Sequence, residues 1–375
     1  MRLRHPSGRI VHLTCGVSLT EAVTPGDAFA MLDTAAAELR AALSHGLTSG
    51  SEYPGVLTIA LRLSYPLAAA LVEDGRARTR LRAELDARSL EVVTLSGGPD
   101  AEGGGAPPSP DATRQPADAQ EPGSAQDPDI TQRPDTAQDP DTATPQAATP
   151  QDAAEQPDPP TSPEAGAESD PMLPGGVLPD WSEPARLQHT LELARILVDL
   201  LPEDEVRGAV GTSGLGRREI WDEAHERAGA RHLGRLSGGL ADLAWRVGRA
   251  VRVGFEPRPG YVLDSPEETV AALARVDKDR LGVCLDLARV VRDWPAPEDG
   301  IDRLTDAGLS VITVRITDPA AAWQPVLRHL LAADTARTEY IEVDGDGTAA
   351  ADMSYVIGQL TALGLVPESE PCAAP

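Results

Sequence analysis

Short stretches along the chain alternate large apolar residues with small or polar ones, and longer amphipathic runs separate them. In VRVGFEP, Val251, Val253 and Phe255 alternate with Arg252, Gly254 and Glu256; in LGVCLDLA, Leu281, Val283 and Leu285 alternate with Gly282, Cys284 and Asp286. A period of two is the signature of a strand with two different faces. VLTIALRLS repeats it, with Leu57, Ile59, Leu61 and Leu63 against Thr58, Ala60, Arg62 and Ser64. In SVITVRITD, Ile312, Val314 and Ile316 oppose Thr313, Arg315 and Thr317, and in TEYIEVD, Ile341 and Val343 oppose Tyr340, Glu342 and Asp344. Residues 9–15, EVVTLSG and GAVGTSG complete a set of eight strand candidates.

Helical patterns fall between them, over about 27–45, 66–88, 183–201, 265–276, 298–307, 320–333 and 353–364. A further long helical region runs to about residue 247, with a break expected at Ser237-Gly238-Gly239. Eight strands alternating with eight helices predict a TIM (β/α)8 barrel. Its large aliphatics face the outer helices, and its polar residues converge on a mouth at the C-terminal strand ends. No GxGxxG follows the first strand, since TCGVSLTEA does not match, so an open dinucleotide-binding sheet and a nucleotide cofactor are not indicated.

Composition divides the chain. Residues 99–174 hold sixteen acidic and two basic residues, 17 of the 34 prolines and no aromatic residue. Such a segment buries too little apolar surface to offset the entropy of ordering it, and disorder is the expectation. The predicted organisation is barrel strands one to three in 1–98, an acidic disordered insertion after strand three in 99–174, barrel strands four to eight in 175–366, and a disordered tail in 367–375. Setting aside the net −14 of residues 99–174 leaves −12 of the chain's −26, and acidity of that order argues against a nucleic-acid partner. No apolar run is long enough to span a bilayer, and MRLRHPSGRIVHL lacks the apolar stretch of a secretion signal, so a cytoplasmic location is expected. Protein partners are not indicated by any motif. Cys15, Cys284 and Cys372 suggest neither a disulfide framework nor a zinc site.

The candidate chemistry lies among the inward residues. Glu256, Asp286, Glu342 and Asp344 cannot all remain charged and close together without a counterion. A divalent metal with oxygen ligands is one solution, and inward arginines such as Arg62 and Arg315 are the other. His12 is the inward histidine on the first strand, either a substrate contact or a hydrogen-bonded structural residue. Cys284 reads as a buried, inert thiol. Thr212 and Ser213, in GTSG, are candidates for an anion contact, with an ordinary turn as the alternative.

HLT at 12–14, ALRLS at 60–64, LPDW with RLQHTLELARILVDLLP downstream, FEPRPG and LGVCLD together resemble the EboE-type metabolite traffic proteins, which are similar to the xylose isomerase-like sugar-phosphate isomerase/epimerase barrels. The resemblance implies a metal-binding set with a Glu on strand five, an Asp on strand six and a Glu on strand eight, matched here by Glu256, Asp286 and Glu342, with Mg2+ or Mn2+ as the ion. It implies a small sugar-like or phosphorylated metabolite, held by His12, Arg62 and Arg315, and proton movement by Glu256 and Glu342. The sequence departs from that pattern at Arg289, where the family has a histidine, and at Arg315, where it usually has glutamine. TLSGGPD replaces TLNGFPYG after strand three. The alternative is a non-catalytic barrel whose mouth is closed by arginine–carboxylate pairs, serving as an interaction protein.

Overall fold

The computed structural model describes residues 1–22, 24–46, 56–97, 179–333, 336–344 and 349–368. The expected insertion, 99–174, and most of the expected tail lie outside the described residues.

Eight parallel strands close into a barrel: β2 (Ile10–Leu19), β3 (Leu57–Leu63), β4 (Leu90–Gly97), β5 (Arg207–Ser213), β6 (Ala250–Glu256), β7 (Leu281–Asp286), β8 (Val311–Ile316) and β9 (Tyr340–Val343), with β9 pairing back onto β2. The apolar alternation has its cause in this closure. Ile59, Leu61, Leu63, Val253, Val283, Val314 and Ile341 are all buried. Thr14, Thr58, Thr94 and Thr313 are buried polar residues of the strands, together with Ser213, Arg252, Glu256, Asp286 and Glu342, and Tyr340 is buried as well. The register skips Val93 between β3 and β4, and Ile312 between β7 and β8. The insertion joins the third barrel strand, β4, to α4 (Pro184–Leu200). Two short strands not foreseen in the pattern, β1 (Arg2–Arg4) and β10 (Val366–Pro367), pair antiparallel beneath β2. At the C-terminal end the Glu368 N–H donates to the Arg2 carbonyl.

The helices follow the expected plan with three differences. The run after β3 is two helices, α2 (Tyr65–Glu73) and α3 (Gly75–Ala87), because Asp74 ends the first and caps the second through the Arg76 N–H. The expected break at Gly238-Gly239 does not occur, and α5 (Glu223–Val247) is continuous from the Asp222 cap to Gly248, which takes φ 70°. Glycine costs a helix only about 1 kcal/mol, and a Cβ on Gly239 would stand 2.7 Å from Leu191 Cδ2, so the glycine lets α4 and α5 approach. A helix of about two turns, α7 (Leu287–Asp293), follows β7 directly, started by the Asp286 carboxylate. The others are α1 (Pro25–Gly46), α6 (Pro266–Ala272) with a Ser265–Glu268 capping box, α8 (Pro297–Asp306), α9 (Gln324–Ala332) and α10 (Ala349–Ala362). No helix among the described residues is long and apolar enough to cross a membrane.

Candidate functional site

Parallel register brings the charged residues of neighbouring strands into one row. Asp286 pairs with Arg315, Arg315 with Glu342, and Glu342 with Thr14, while Ser213 pairs with Glu256 one strand further round. A cation between two carboxylates on adjacent strands is the favourable cross-strand arrangement.

Glu256 ends β6 and is only 3% exposed. Arg258 reaches back to it, Nε donating to Oε1 at 3.0 Å and Nη2 to Oε2 at 3.1 Å, and Arg315 Nη2 donates to the same Oε2. Burial alone would push this carboxyl up, but the two guanidinium groups outweigh it and hold Glu256 down at about 2. Both carboxylate oxygens are thus engaged by arginine.

Asp286 is equally occupied. Its Oδ1 accepts from the Ala288 N–H at 3.0 Å, the Arg289 N–H at 3.3 Å and the Thr317 hydroxyl at 2.8 Å, and its Oδ2 from Arg289 Nε at 3.1 Å. Asp344, just past β9, accepts from Arg62 Nη2, with Arg315 Nη1 3.7 Å away. Gly16 makes room for it, since a Cβ there would meet Asp344 Oδ1 at 2.7 Å. Glu342 forms no ion pair within 4.0 Å among the described residues. Burial, and then the neighbouring Asp344, raises its carboxyl to about 7.

Above this row opens a cavity of about 1040 Å3. Arg62, Arg186, Arg258, Arg289, Arg292 and Arg315 line it against five carboxylates, those of Glu38, Glu256, Asp286, Asp318 and Asp344. The structure therefore gathers Glu256, Asp286, Arg62 and Arg315 at one mouth, with Glu342 buried beside Arg315. His12 does not join them. It lies at the other end of β2, its Nε2 3.5 Å from Glu205 and its ring 5.6 Å from that of Tyr340, and burial pushes its imidazole down to about 4. The Cys284 thiol is buried and pushed up to about 12.

Arg258, Arg289 and Arg186 belong to the mouth but were not among the expected site residues. Two of them carried a signal: Arg258 follows Glu256 by two positions, and Arg289 follows Asp286 by three, which places both within reach of the carboxylate. Arg186 comes from α4, distant in sequence from every strand end, and only the fold brings it in.

The donor set does not fit a divalent metal. Three or more histidine, cysteine or carboxylate side chains arranged to hold an ion do not occur among the described residues. The expected ligands Glu256 and Asp286 present oxygens already committed to guanidinium and backbone donors.

No family model matches the sequence, and no curated protein matches it. Solved structures do. L-ribulose 3-epimerase superposes with a TM-score of 0.51 at 12% identity, over 94% of this chain and 96% of that one. The fold is that of the xylose isomerase-like TIM barrels. A family 2 AP endonuclease from Brucella melitensis gives a TM-score of 0.48 at 14% identity, over 93% and 98% of the two chains. A xylose isomerase-like barrel from Mycobacterium smegmatis, in complex with magnesium, gives 0.46 at 15%, over 96% and 94%. At these identities the likeness shows the barrel and nothing of its chemistry.

Proposed function

We propose that this xylose isomerase-like barrel binds a small polar metabolite, sugar-like or phosphorylated, in its mouth, and that guanidinium groups rather than a divalent ion supply the positive charge there. One observation carries this reading: in a chain of net charge −26, six arginines converge on one cavity of about 1040 Å3. The volume is of the order that small-molecule sites have. Arginine's planar fork suits carboxylate and phosphate groups. The EboE-type stretches HLT, ALRLS, FEPRPG and LGVCLD support a role in metabolite handling, in the cytoplasm.

Of the two carboxyls expected to move a proton, Glu256 is held at about 2 and serves to position Arg258 and Arg315. Glu342 is raised to about 7 by burial and Asp344, but it does not line the cavity, so the proposed role is metabolite binding, with no contact between Glu342 and the ligand. A second reading, an interaction protein without catalysis, is favoured by the direct contacts of Arg258 and Arg315 onto Glu256.

Melting curves of the purified protein with neutral sugars, sugar phosphates, Mg2+ and Mn2+ test the proposal. Sugar phosphates are expected to raise the melting temperature, and millimolar metal to leave it unchanged. Stabilisation by metal without any by sugar phosphates would overturn it. Ligand binding without turnover of any ketose or aldose would favour the interaction protein.

A further inference from the structure

We infer that Arg186, Thr212 and Ser213, with Ser96 beside them, form an oxyanion subsite at the β4–β5 side of the mouth. The inference rests on the metabolite-binding reading and assigns the place of the metabolite's phosphoryl or carboxylate group. Arg186 lies in the first turn of α4 and is 3% exposed. Its Nη2 donates to Thr212 Oγ1 and to Ser213 Oγ, each at 2.7 Å.

Hydrogen-bond polarity follows from those two contacts. A guanidinium has donors and no acceptor, so both hydroxyl oxygens are acceptors toward Arg186 and each O–H must be donated elsewhere. Neither hydroxyl has a second hydrogen-bond partner among the described residues. Both residues line the cavity. Ser96 also lines it, in register with Gly211, the residue before Thr212, and its hydroxyl makes no hydrogen bond among the described residues. A ligand group meeting these hydroxyls beside a guanidinium has to be an acceptor, and an oxyanion accepts most strongly.

Electrostatics selects the same side. The carboxylates that line the cavity come from α1, from β6, and from the ends of β7, β8 and β9, whereas the lining residues of β4, α4 and β5 include no acid. An anion placed against Glu256 or Asp286 meets negative charge, each already balanced by its own arginine. Against Thr212 and Ser213 it meets two hydroxyl donors and Arg186, and the nearest carboxylate, Glu256 across from Ser213, is already held by Arg258 and Arg315.

Isothermal titration of the full chain with inorganic phosphate, and separately with acetate, at ionic strength held constant with chloride, tests the subsite. Phosphate is expected to bind, and Thr212→Val combined with Ser213→Ala to weaken it about ten-fold or more, the loss that goes with removing hydrogen bonds to a charged group. Thr212→Ser, which keeps the hydroxyl, is expected to retain binding. The same pattern with acetate in place of phosphate assigns the group as a carboxylate. Thr212→Val and Ser213→Ala are also measured singly, so that a fold defect of the double variant does not decide the outcome. Anion binding undiminished in these variants overturns the subsite and leaves the metabolite reading standing. Binding of neutral sugars with neither anion bound does the same. If neither anions nor sugars bind, both fall.

Discussion

Glu342→Gln is expected to stabilise the protein, and to do so only on the alkaline side. The carboxyl is 9% exposed, faces Asp344, and titrates at about 7 instead of its ordinary 4.5 because burial and that neighbour oppose its charge. A group whose folded pKa is raised contributes its full stability below the unfolded value. That stability is lost as pH rises through the folded value, here between about 4.5 and about 7. The displacement corresponds to roughly 3 kcal/mol once the pH is well above 7, at about 1.4 kcal/mol for each ten-fold change in proton affinity. Glutamine has the size of the protonated acid and no charge to lose. The variant and the parent should therefore be about equally stable near pH 5, and the variant ahead by up to roughly 3 kcal/mol near pH 8.5, on the order of 5 °C in melting temperature. Urea unfolding followed by circular dichroism at about pH 5, 6.5 and 8.5 reads the difference directly. A gap that stays constant across this range, or a variant weaker than the parent at the alkaline end, would refute the assignment of Glu342 as a carboxyl kept neutral by its surroundings.

Glu256→Gln should act in the opposite sense, destabilising by about 3 kcal/mol, because two half-buried guanidinium groups lose the buried carboxylate they share. The parent should lose stability on acidification between about 4.5 and about 2, where Glu256 takes up its proton, and the variant should lack that limb of an acid titration. In α5 the adjacent glycines should respond differently to alanine. Gly238→Ala, with nothing within 4 Å of the new Cβ, should gain about 1 kcal/mol of helix propensity. Gly239→Ala, whose Cβ meets Leu191 at 2.7 Å, should show a net loss of about 1 kcal/mol in the same urea titration.

The eight strands were legible because a barrel wall has two chemically different faces, and the alternation of Leu57, Ile59, Leu61 and Leu63 with smaller or polar residues records them. Alternation tells which way a side chain points and is silent about height. The alternation puts His12 on the inner face, yet it sits near the start of a ten-residue strand and pairs with Tyr340 and Arg2 instead of meeting Glu256. Height follows from register, and register is a property of pairs of strands, which is why the row Asp286–Arg315–Glu342 emerged only in three dimensions. The idea that arginines neutralise the acids was available from composition at the strand ends. Which arginine meets which acid was not: Arg62 goes to Asp344, and Arg258 and Arg289 take the carboxylates nearest them in sequence. The misplaced break in α5 has a similar origin, since a glycine that admits a neighbouring helix and one that ends its own look alike in a linear pattern.

Asp286 performs two tasks at once, as the origin of α7 and as a member of the mouth. Any ligand that drew its Oδ1 away would also strip the Ala288 and Arg289 amides of their acceptor. The floor of the mouth is therefore resistant to redecoration: a lineage seeking new chemistry at that position would first have to find another way to begin the helix. Change comes more freely at Thr212, Ser213 and Ser96, whose side chains end no strand–helix junction of this kind and carry no neighbour's backbone.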